Sequence, residues 1–315
     1  MENIVKKLDN ETLKNIRQSA RNSNRSSELG WWEECPRYLV LVRTDYDKMP
    51  LHDIDLQRIF DEGKKQEKLV RMELEEAGYE IIDVQRDEKW KHLNITGHID
   101  GKIRLDGKTP IIEIKSCSPN VFHTISTIDK AEDLKNSKFF WIRGYYAQIQ
   151  GYHLLFNEEE GIILFKNKST AKKHQIDSYL DYEYCERMCK VIEEVNDRVE
   201  KNNPWPIEMK EACKRCPFQK TMCFPDMDYG PGFDFLSDEE TETKLIRWEE
   251  TKEVAKEHEE LDKELKEHFK GRSVILGDFK IESSKHERRG VDLPPDIKKQ
   301  YEKVTEYWIT KIERL

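Results

Sequence analysis

The 315-residue chain has no apolar run approaching the ~20 residues that span a bilayer. Its opening, Met1-Glu2-Asn3-Ile4-Val5-Lys6-Lys7, lacks the apolar stretch of a secretory leader. Together these absences predict a soluble, cytoplasmic protein with no membrane association. There is no long internal repeat and no low-complexity tract, so repeat architectures are set aside. Basic residues are in deficit, with 54 Lys and Arg against 63 Asp and Glu and a formal net charge of −9. Taken globally, that balance argues against a polyanion-binding surface, although an average conceals local patches. The seven cysteines are an odd number in a chain without an export signal. Metal ligands or free thiols are therefore expected ahead of disulfides.

What is present is enough for a sizeable core. Hydrophobic and charged residues each make up 37% of the chain, and the mean hydropathy is −0.87, which predicts a globular protein with an unusually charged surface. The charge is uneven: residues 238–270 hold 13 acidic and 7 basic side chains. That stretch follows Phe224-Pro225-Asp226-Met227-Asp228-Tyr229-Gly230-Pro231-Gly232, whose Pro and Gly density reads as a linker. A loose apolar stripe of Leu245, Trp248, Ala255, Leu261, Leu265 and Phe269 predicts a solvated helix packed along one side. Segments 273–281 and 304–312 read as strands of a hairpin. Residues 1–228 are thus expected to form one unit, and 229–315 an accessory region.

Within the first unit the spacing predicts a helix over 53–77, with Leu56, Ile59, Phe60, Leu69, Val70 and Leu74 on its apolar face and Gly78 as its stop. Strands are predicted over 79–85, 94–105 and 110–116, the last two joined through Asp106-Gly107, a favoured hairpin turn. A buried helix over 139–156, a strand over 161–166 and a helix over 181–200 follow. This order predicts a mixed α/β fold, a mixed central sheet with helices on its faces.

The most informative segment is Gly97-His98-Ile99-Asp100, followed on the next strand by Glu113-Ile114-Lys115. Alternation along a strand puts Glu113 and Lys115 on one face and Ile112 and Ile114 on the other. A charged pair on such a strand is costly when buried without partners, and Asp100 at hairpin distance supplies one. Two carboxylates plus a strand carbonyl, that of Ile114, form a hard oxygen site suited to Mg²⁺ or Mn²⁺. Such an ion polarises a phosphodiester and acidifies water, while Lys115 orients that water or stabilises developing charge. Gly97 allows close approach of a backbone or substrate. Gln148 and Tyr152 lie four apart, on one face of their helix. Glu67 follows Gly63-Lys64-Lys65-Gln66 in the first helix. Taken singly, each of these is also an ordinary solvated or salt-bridged residue. Lys64, Lys65, Lys68, Arg71, Lys166, Lys168, Lys172 and Lys173 are basic groups able to track a phosphate backbone.

Cys213-Lys214-Arg215-Cys216-Pro217 and then Cys223 form a Cys-x₂-Cys-x₆-Cys cluster that requires a fourth ligand. Cys35, in Glu33-Glu34-Cys35-Pro36-Arg37-Tyr38, is the leading candidate. Cys185 and Cys189 share a helical stripe with Tyr182, Ile192, Val195 and Val199 and read as core, as does Cys117. Spacing alone fits zinc and an iron–sulfur cluster equally.

In family order, Cys35-Pro36-Arg37-Tyr38, Gly97-x-x-Asp100, Glu113-Ile114-Lys115, Gln148-x-x-x-Tyr152, and Cys213, Cys216-Pro217 and Cys223 resemble the PD-(D/E)XK nuclease superfamily. The likeness is to its RecB-like iron–sulfur branch, which includes CRISPR-associated Cas-four, AddB-type and phage-encoded exonucleases, and it covers residues 30–225. The resemblance implies a restriction-endonuclease-like core with a four-cysteine subdomain. It implies Asp100, Glu113, the Ile114 carbonyl and Glu67 as ligands of Mg²⁺ or Mn²⁺, with Lys115 as the catalytic lysine. Gln148 and Tyr152 would support that lysine or contact DNA, and Cys35, Cys213, Cys216 and Cys223 would hold a structural [4Fe–4S] cluster. The branch has His where this chain has Glu67, which implies an altered metal preference. The implied activity is DNA exonuclease action on ends or single strands, in recombination and repair, phage DNA metabolism or CRISPR adaptation. The alternative is a non-catalytic DNA-binding subunit of a helicase, recombinase or integration complex. Residues 229–315 lie outside the resemblance, and their acidic helix is a candidate contact for a protein partner.

Overall fold

The computed structural model describes residues 3–17, 19–225, 239–276 and 279–283. The chain forms two compact units, Met1–Arg247 and Trp248–Leu315. The first unit opens with α1 (Ile4–Asn15), β1 (Asn24–Arg25), α2 (Trp31–Glu34), α3 (Pro36–Thr44) and α4 (Ile54–Glu76). Next come β2 (Ile81–Ile82), β3 (Asp87–Trp90), β4 (Ile95–His98), β5 (Gly101–Ile103) and β6 (Ile111–Cys117). A crossover of α5 (Pro119–Ile125), α6 (Ala131–Leu134) and α7 (Phe140–Phe156) leads to β7 (Glu160–Asn167), β8 (Lys173–Tyr179) and α8 (Tyr182–Glu200). The last elements are α9 (Glu239–His268), β9 (Val274–Leu276) and β10 (Phe279–Ile281).

The architecture is mixed α/β, as expected. The main sheet has the order β2-β5-β6-β7-β8; β6 and β7 run parallel, joined by the helical crossover, and the other pairs are antiparallel. A second sheet has the order β1-β4-β3. Alternation on the main sheet feeds two cores. Ile112, Ile114, Ile162 and Leu164 pack with Val70 and Leu74 of α4, whereas Ile111, Ile163 and Phe165 belong to the larger core with Tyr146 and Ile149 of α7. The sheet is therefore covered by α4 on one face and α7 on the other.

Helix α4 starts where Asp53 caps the Leu56 amide (2.8 Å) and stops at Gly78, whose φ of +90° suits a residue without Cβ. Asp106 and Gly107, both at positive φ, form the expected tight turn, with Leu105 and Lys108 exchanging backbone hydrogen bonds.

Several expectations change. Residues 94–105 do not make one strand: β4 pairs with β3 and β1, β5 pairs with β2 and β6, and the chain passes between the two sheets at Ile99 and Asp100. The strand expected over 79–85 shrinks to Ile81–Ile82, because Asp83 and Gln85 adopt positive φ. Strands β3 and β8 were not anticipated; both are polar and half exposed, so they carry little apolar signal. The apolar face of α4 is only partly core: Val70 is buried, while Ile59, Phe60 and Leu69 are exposed.

Helix α9 forms as expected, and Trp248, Leu261 and Leu265 on its stripe are exposed. The strand expected over 273–281 is two short antiparallel strands, β9 and β10. The strand expected over 304–312 lies outside the described residues. Among the described residues no helix is long and apolar enough to cross a membrane.

Candidate active site

The break between β4 and β5 creates the site. Strand β5 pairs with β6 only at Ile111 and Ile112, so the β5-side edge of β6 is open from Glu113 onward. Asp100, at the sheet junction, fills that edge: its Oδ2 accepts the Ile114 amide at 2.7 Å. The N–H and C=O of one strand residue point the same way, so the Ile114 carbonyl faces the same edge.

Glu113 and Lys115 project from β6 toward α7, as alternation requires. Lys115 Nζ lies 2.6 Å from Glu113 Oε1 and donates to Gln148 Oε1 at 3.1 Å. Gln148 Nε2 donates to Glu113 Oε1 at 3.0 Å and to the Tyr152 hydroxyl at 2.8 Å. One amide thus clamps lysine and carboxylate together, and the one-turn spacing on α7 brings Tyr152 under it. Tyr145 adds its ring 5.3 Å from Lys115 Nζ. Gly97 permits close packing, but against Ser26, Tyr152 and Leu155 side chains rather than a backbone.

Glu67 reaches the same site from α4. It is ion-paired with Arg71 and accepts from Gln85 Nε2 at 2.8 Å, and the same Gln85 nitrogen lies 3.3 Å from Asp100 Oδ1. Sequence reasoning missed Gln85, which sits at positive φ in the turn after β2 and carries no sequence signal.

Three carboxylates, Glu67, Asp100 and Glu113, face this site. Asp100 is 8% exposed and Glu113 4% exposed. Burial, then the charges of Glu113 and Glu67, push the Asp100 carboxyl up to about 8. Burial and the Glu113 charge raise the Tyr152 phenol well above its usual value, so it stays protonated. Glu113 Oε2 is buried with no hydrogen-bond partner. An orphaned carboxylate oxygen beside a second buried carboxyl is what a divalent cation would satisfy, so the donor set fits Mg²⁺ or Mn²⁺. Among the described residues no three His, Cys, Asp or Glu groups close on one point; the carboxylates are held by Gln85, Gln148, Lys115, Arg71 and the Ile114 amide.

The cavity over these groups measures about 1120 Å³, and Asp100, Glu113, Lys115, Gln148, Tyr152 and Glu67 all line it. Its rim carries Arg25, Lys64, Lys89 and Lys168, none of which is in an ion pair among the described residues. Arg25 and Lys89 were not anticipated, since β1 and β3 are too short to read from sequence. Of the expected basic track, Lys64 and Lys168 reach the cavity. Lys166 does not: it is buried and paired with Glu73 at 3.0 Å, and Glu73 also holds Lys173 at 2.8 Å. Lys65 pairs with Glu62 at 3.7 Å.

Cys35, Cys213, Cys216 and Cys223 line one separate cavity of about 70 Å³ with Trp205 and Pro206. Cys35 precedes α3, and the other three lie in the turns after α8, so the cavity ties the two ends of the resembling segment. Burial raises the Cys35 thiol, and burial with the neighbouring Cys35, Cys223 and Cys213 pushes Cys216 up to about 12. Four thiols facing one cavity have the chemistry of a metal or cluster site that would take them as thiolates, although among the described residues no three of them are placed closely enough to hold an ion. In this structure Cys213 Sγ instead accepts the Lys210 amide at 3.3 Å and lies 3.6 Å from the Glu208 carbonyl. Cys185 is buried in α8 beside Gln150, Cys189 packs against the same core and Cys117 ends β6, all as packing residues.

No protein-family model and no curated protein matches the chain. Among solved structures, SSO0001 is 17% identical with a TM-score of 0.42, over 72% of this chain and 99% of that one. The alkaline exonuclease LHK-Exo from Laribacter hongkongensis is 16% identical with a TM-score of 0.39, over 57% of this chain and 89% of its own. The LHK-Exo complex with dAMP gives a TM-score of 0.37 at 16% identity and the same coverage.

Proposed function

We propose that the chain is a metal-dependent deoxyribonuclease of the PD-(D/E)XK type that it resembles in sequence, acting on DNA ends or single strands. The observation that carries this reading is the convergence of Asp100, Glu113, Lys115 and Gln148 on one rim-charged cavity, with Glu113 Oε2 left orphaned. A cavity of about 1120 Å³ exceeds the ~300–1,000 Å³ of small-ligand pockets and suits a polymer. Unpaired Arg25, Lys64, Lys89 and Lys168 supply phosphate contacts despite the net acidity.

Asp100, Glu113, the Ile114 carbonyl and Glu67 would hold the cation. When bound, a divalent cation supplies Lewis-acid polarisation of the phosphodiester and acidification of water. Lys115 presents its ammonium to the attacking water and to charge developing on the phosphate. Gln148 is a positioning residue: it fixes Lys115 and Glu113 relative to each other through both ends of its amide. Tyr152, kept protonated, braces Gln148. Cys35, Cys213, Cys216 and Cys223 are proposed to hold a structural [4Fe–4S] cluster, and residues 1–228 to be the nuclease unit.

The test is anaerobic purification of the full chain, followed by a Mg²⁺ or Mn²⁺ assay on end-labelled linear and circular DNA. Metal-dependent release from linear DNA is expected, reduced about 10²–10³-fold or more by Lys115→Ala with folding intact. Brown, sulfide-containing protein is expected alongside. Absence of turnover on every linear substrate, single- or double-stranded, would falsify the enzyme reading; a colourless protein containing zinc would overturn the cluster.

A further inference from the structure

We infer that Phe60, flanked by Ile59, is a stacking platform for an unpaired nucleobase, so that the cavity selects single-stranded DNA; this rests on the nuclease reading of the same cavity. Phe60 and Ile59 are each 47% exposed, yet both lie on the cavity wall. Residues of that kind on a helix whose apolar face feeds a core are expected to be buried. Leu69 and Met72 on the same helix are as exposed as Phe60 but do not line the cavity, so it is the place of Phe60 on the cavity wall, and not exposure alone, that sets it apart.

Phe60, Lys64 and Glu67 stand at i, i+4 and i+7 of α4, on one stripe. At a rise of ~1.5 Å per residue, Lys64 is about 6 Å and Glu67 about 10 Å along the axis from Phe60. The order along the wall is therefore aromatic ring, unpaired cation, candidate metal ligand. One strand of B-form DNA carries a phosphate every ~3.4 Å, and an extended strand spaces them more widely. A strand whose scissile phosphate sits at Glu67 and Asp100 thus places a phosphate near Lys64, and a base a few nucleotides away over Phe60. Arg25 and Lys89, also unpaired, line the same cavity. A ligand that is anionic along one side and flat and apolar along the other matches this wall. A nucleotide has that chemistry. His52 meets Phe60 with ring centroids 5.4 Å apart at an interplanar angle of 69°, an edge contact that steadies the ring. Bases inside a duplex are already stacked and gain nothing from Phe60, which is why the platform discriminates strandedness.

The test uses the full chain carrying Lys115→Ala, which permits binding without turnover, and fluorescence anisotropy with a labelled thymidine oligonucleotide, an oligonucleotide of the same length with abasic positions, and a blunt duplex. Adding Phe60→Ala is expected to weaken single-strand binding about 5- to 100-fold and to leave duplex binding within about twofold. Phe60→Trp is expected to restore it. On the abasic strand, Phe60→Ala and its parent are expected to bind alike. Equal losses on single strand and duplex, or a loss that persists on the abasic strand, would overturn the platform. So would unchanged single-strand binding. Unfolding temperatures of all three proteins keep a folding defect visible, and Phe60→Trp supplies a readout if Phe60→Ala fails to fold. The two readings separate cleanly: Phe60-dependent, base-dependent binding by a wild-type protein that cleaves nothing would sink the nuclease but keep the platform. Turnover that ignores Phe60 would do the reverse.

Discussion

The candidate site depends on single atoms. Gln148 uses its carbonyl oxygen on Lys115 and its amide nitrogen on Glu113 and Tyr152, so no apolar or acidic replacement reproduces both ends. Gln148→Ala is expected to lower activity about 10–100-fold, the usual cost of removing a group that orients the reacting residues, with unchanged circular dichroism. Conserved metal affinity with a shifted pH profile of kcat would mark it as positioning the lysine. Asp100 yields a stability prediction. Its carboxyl is pushed up to about 8 in the fold, from an ordinary value of 3.8. Between those limits the native state binds the extra proton, so stability falls as pH rises from about 4 to about 8. Thermal unfolding in a chelator should show that decline, Mn²⁺ should reverse it most strongly near pH 8, and Asp100→Asn should flatten it. A chelated protein whose unfolding temperature rises steadily over the same range would contradict the assignment.

Elements matter through where they stop. The chain between β4 and β5 changes sheet at Asp100, and β5 is too short to cover β6 beyond Ile112. Had residues 94–105 made the single expected strand, its backbone would pair along the Ile114 edge that the Asp100 carboxylate now fills. The close helix packing that sets α7 in place is also local. A Cβ on Gly30, at the start of α2, would lie 2.6 Å from the Gly144 Cα of α7, backbone that has no freedom to yield. Gly30→Ala is therefore expected to cost about 1–3 kcal/mol by overpacking. A drop in the denaturant midpoint, at unchanged slope, measures it. Because α7 carries Gln148 and Tyr152, the same variant should lower activity beyond the loss in folded fraction.

For the whole molecule, the −9 net charge is a poor guide to binding. Many basic side chains among the described residues are spent on ion pairs, including Lys166 and Lys173 on Glu73, and the four at the cavity rim without an ion pair are what an anionic ligand meets. Single-strand binding by the Lys115→Ala protein should fall with salt at a log–log slope of about −3, from roughly four phosphate contacts at ~0.7 each. Lys64→Ala or Lys89→Ala should each lessen that slope by about 0.7 while weakening all sequences alike. A salt-independent affinity would show that the rim is not a phosphate track.

The helices over 53–77, 139–156 and 181–200, the strand containing Glu113 and Lys115, and the Asp106-Gly107 turn were legible in sequence, because helical and strand periods, caps and turn residues act within a few positions. The same local rules suggested Gln148 and Tyr152 as one face, while Cys35 was a candidate partner for the distant cysteines once Cys185 and Cys189 read as core, and the chain brings each set to one cavity. What local pattern does not encode is pairing. Which strand β4 joins, that Lys166 is consumed by Glu73, that Gln85 links Glu67 to Asp100, and that Phe60 faces a cavity where its spacing suggests core all depend on segments far apart in sequence. The sequence by itself determined the chemical groups and the faces they occupy. The tertiary structure decided which of those faces meet, because burial and hydrogen-bond satisfaction are settled only when distant elements pack.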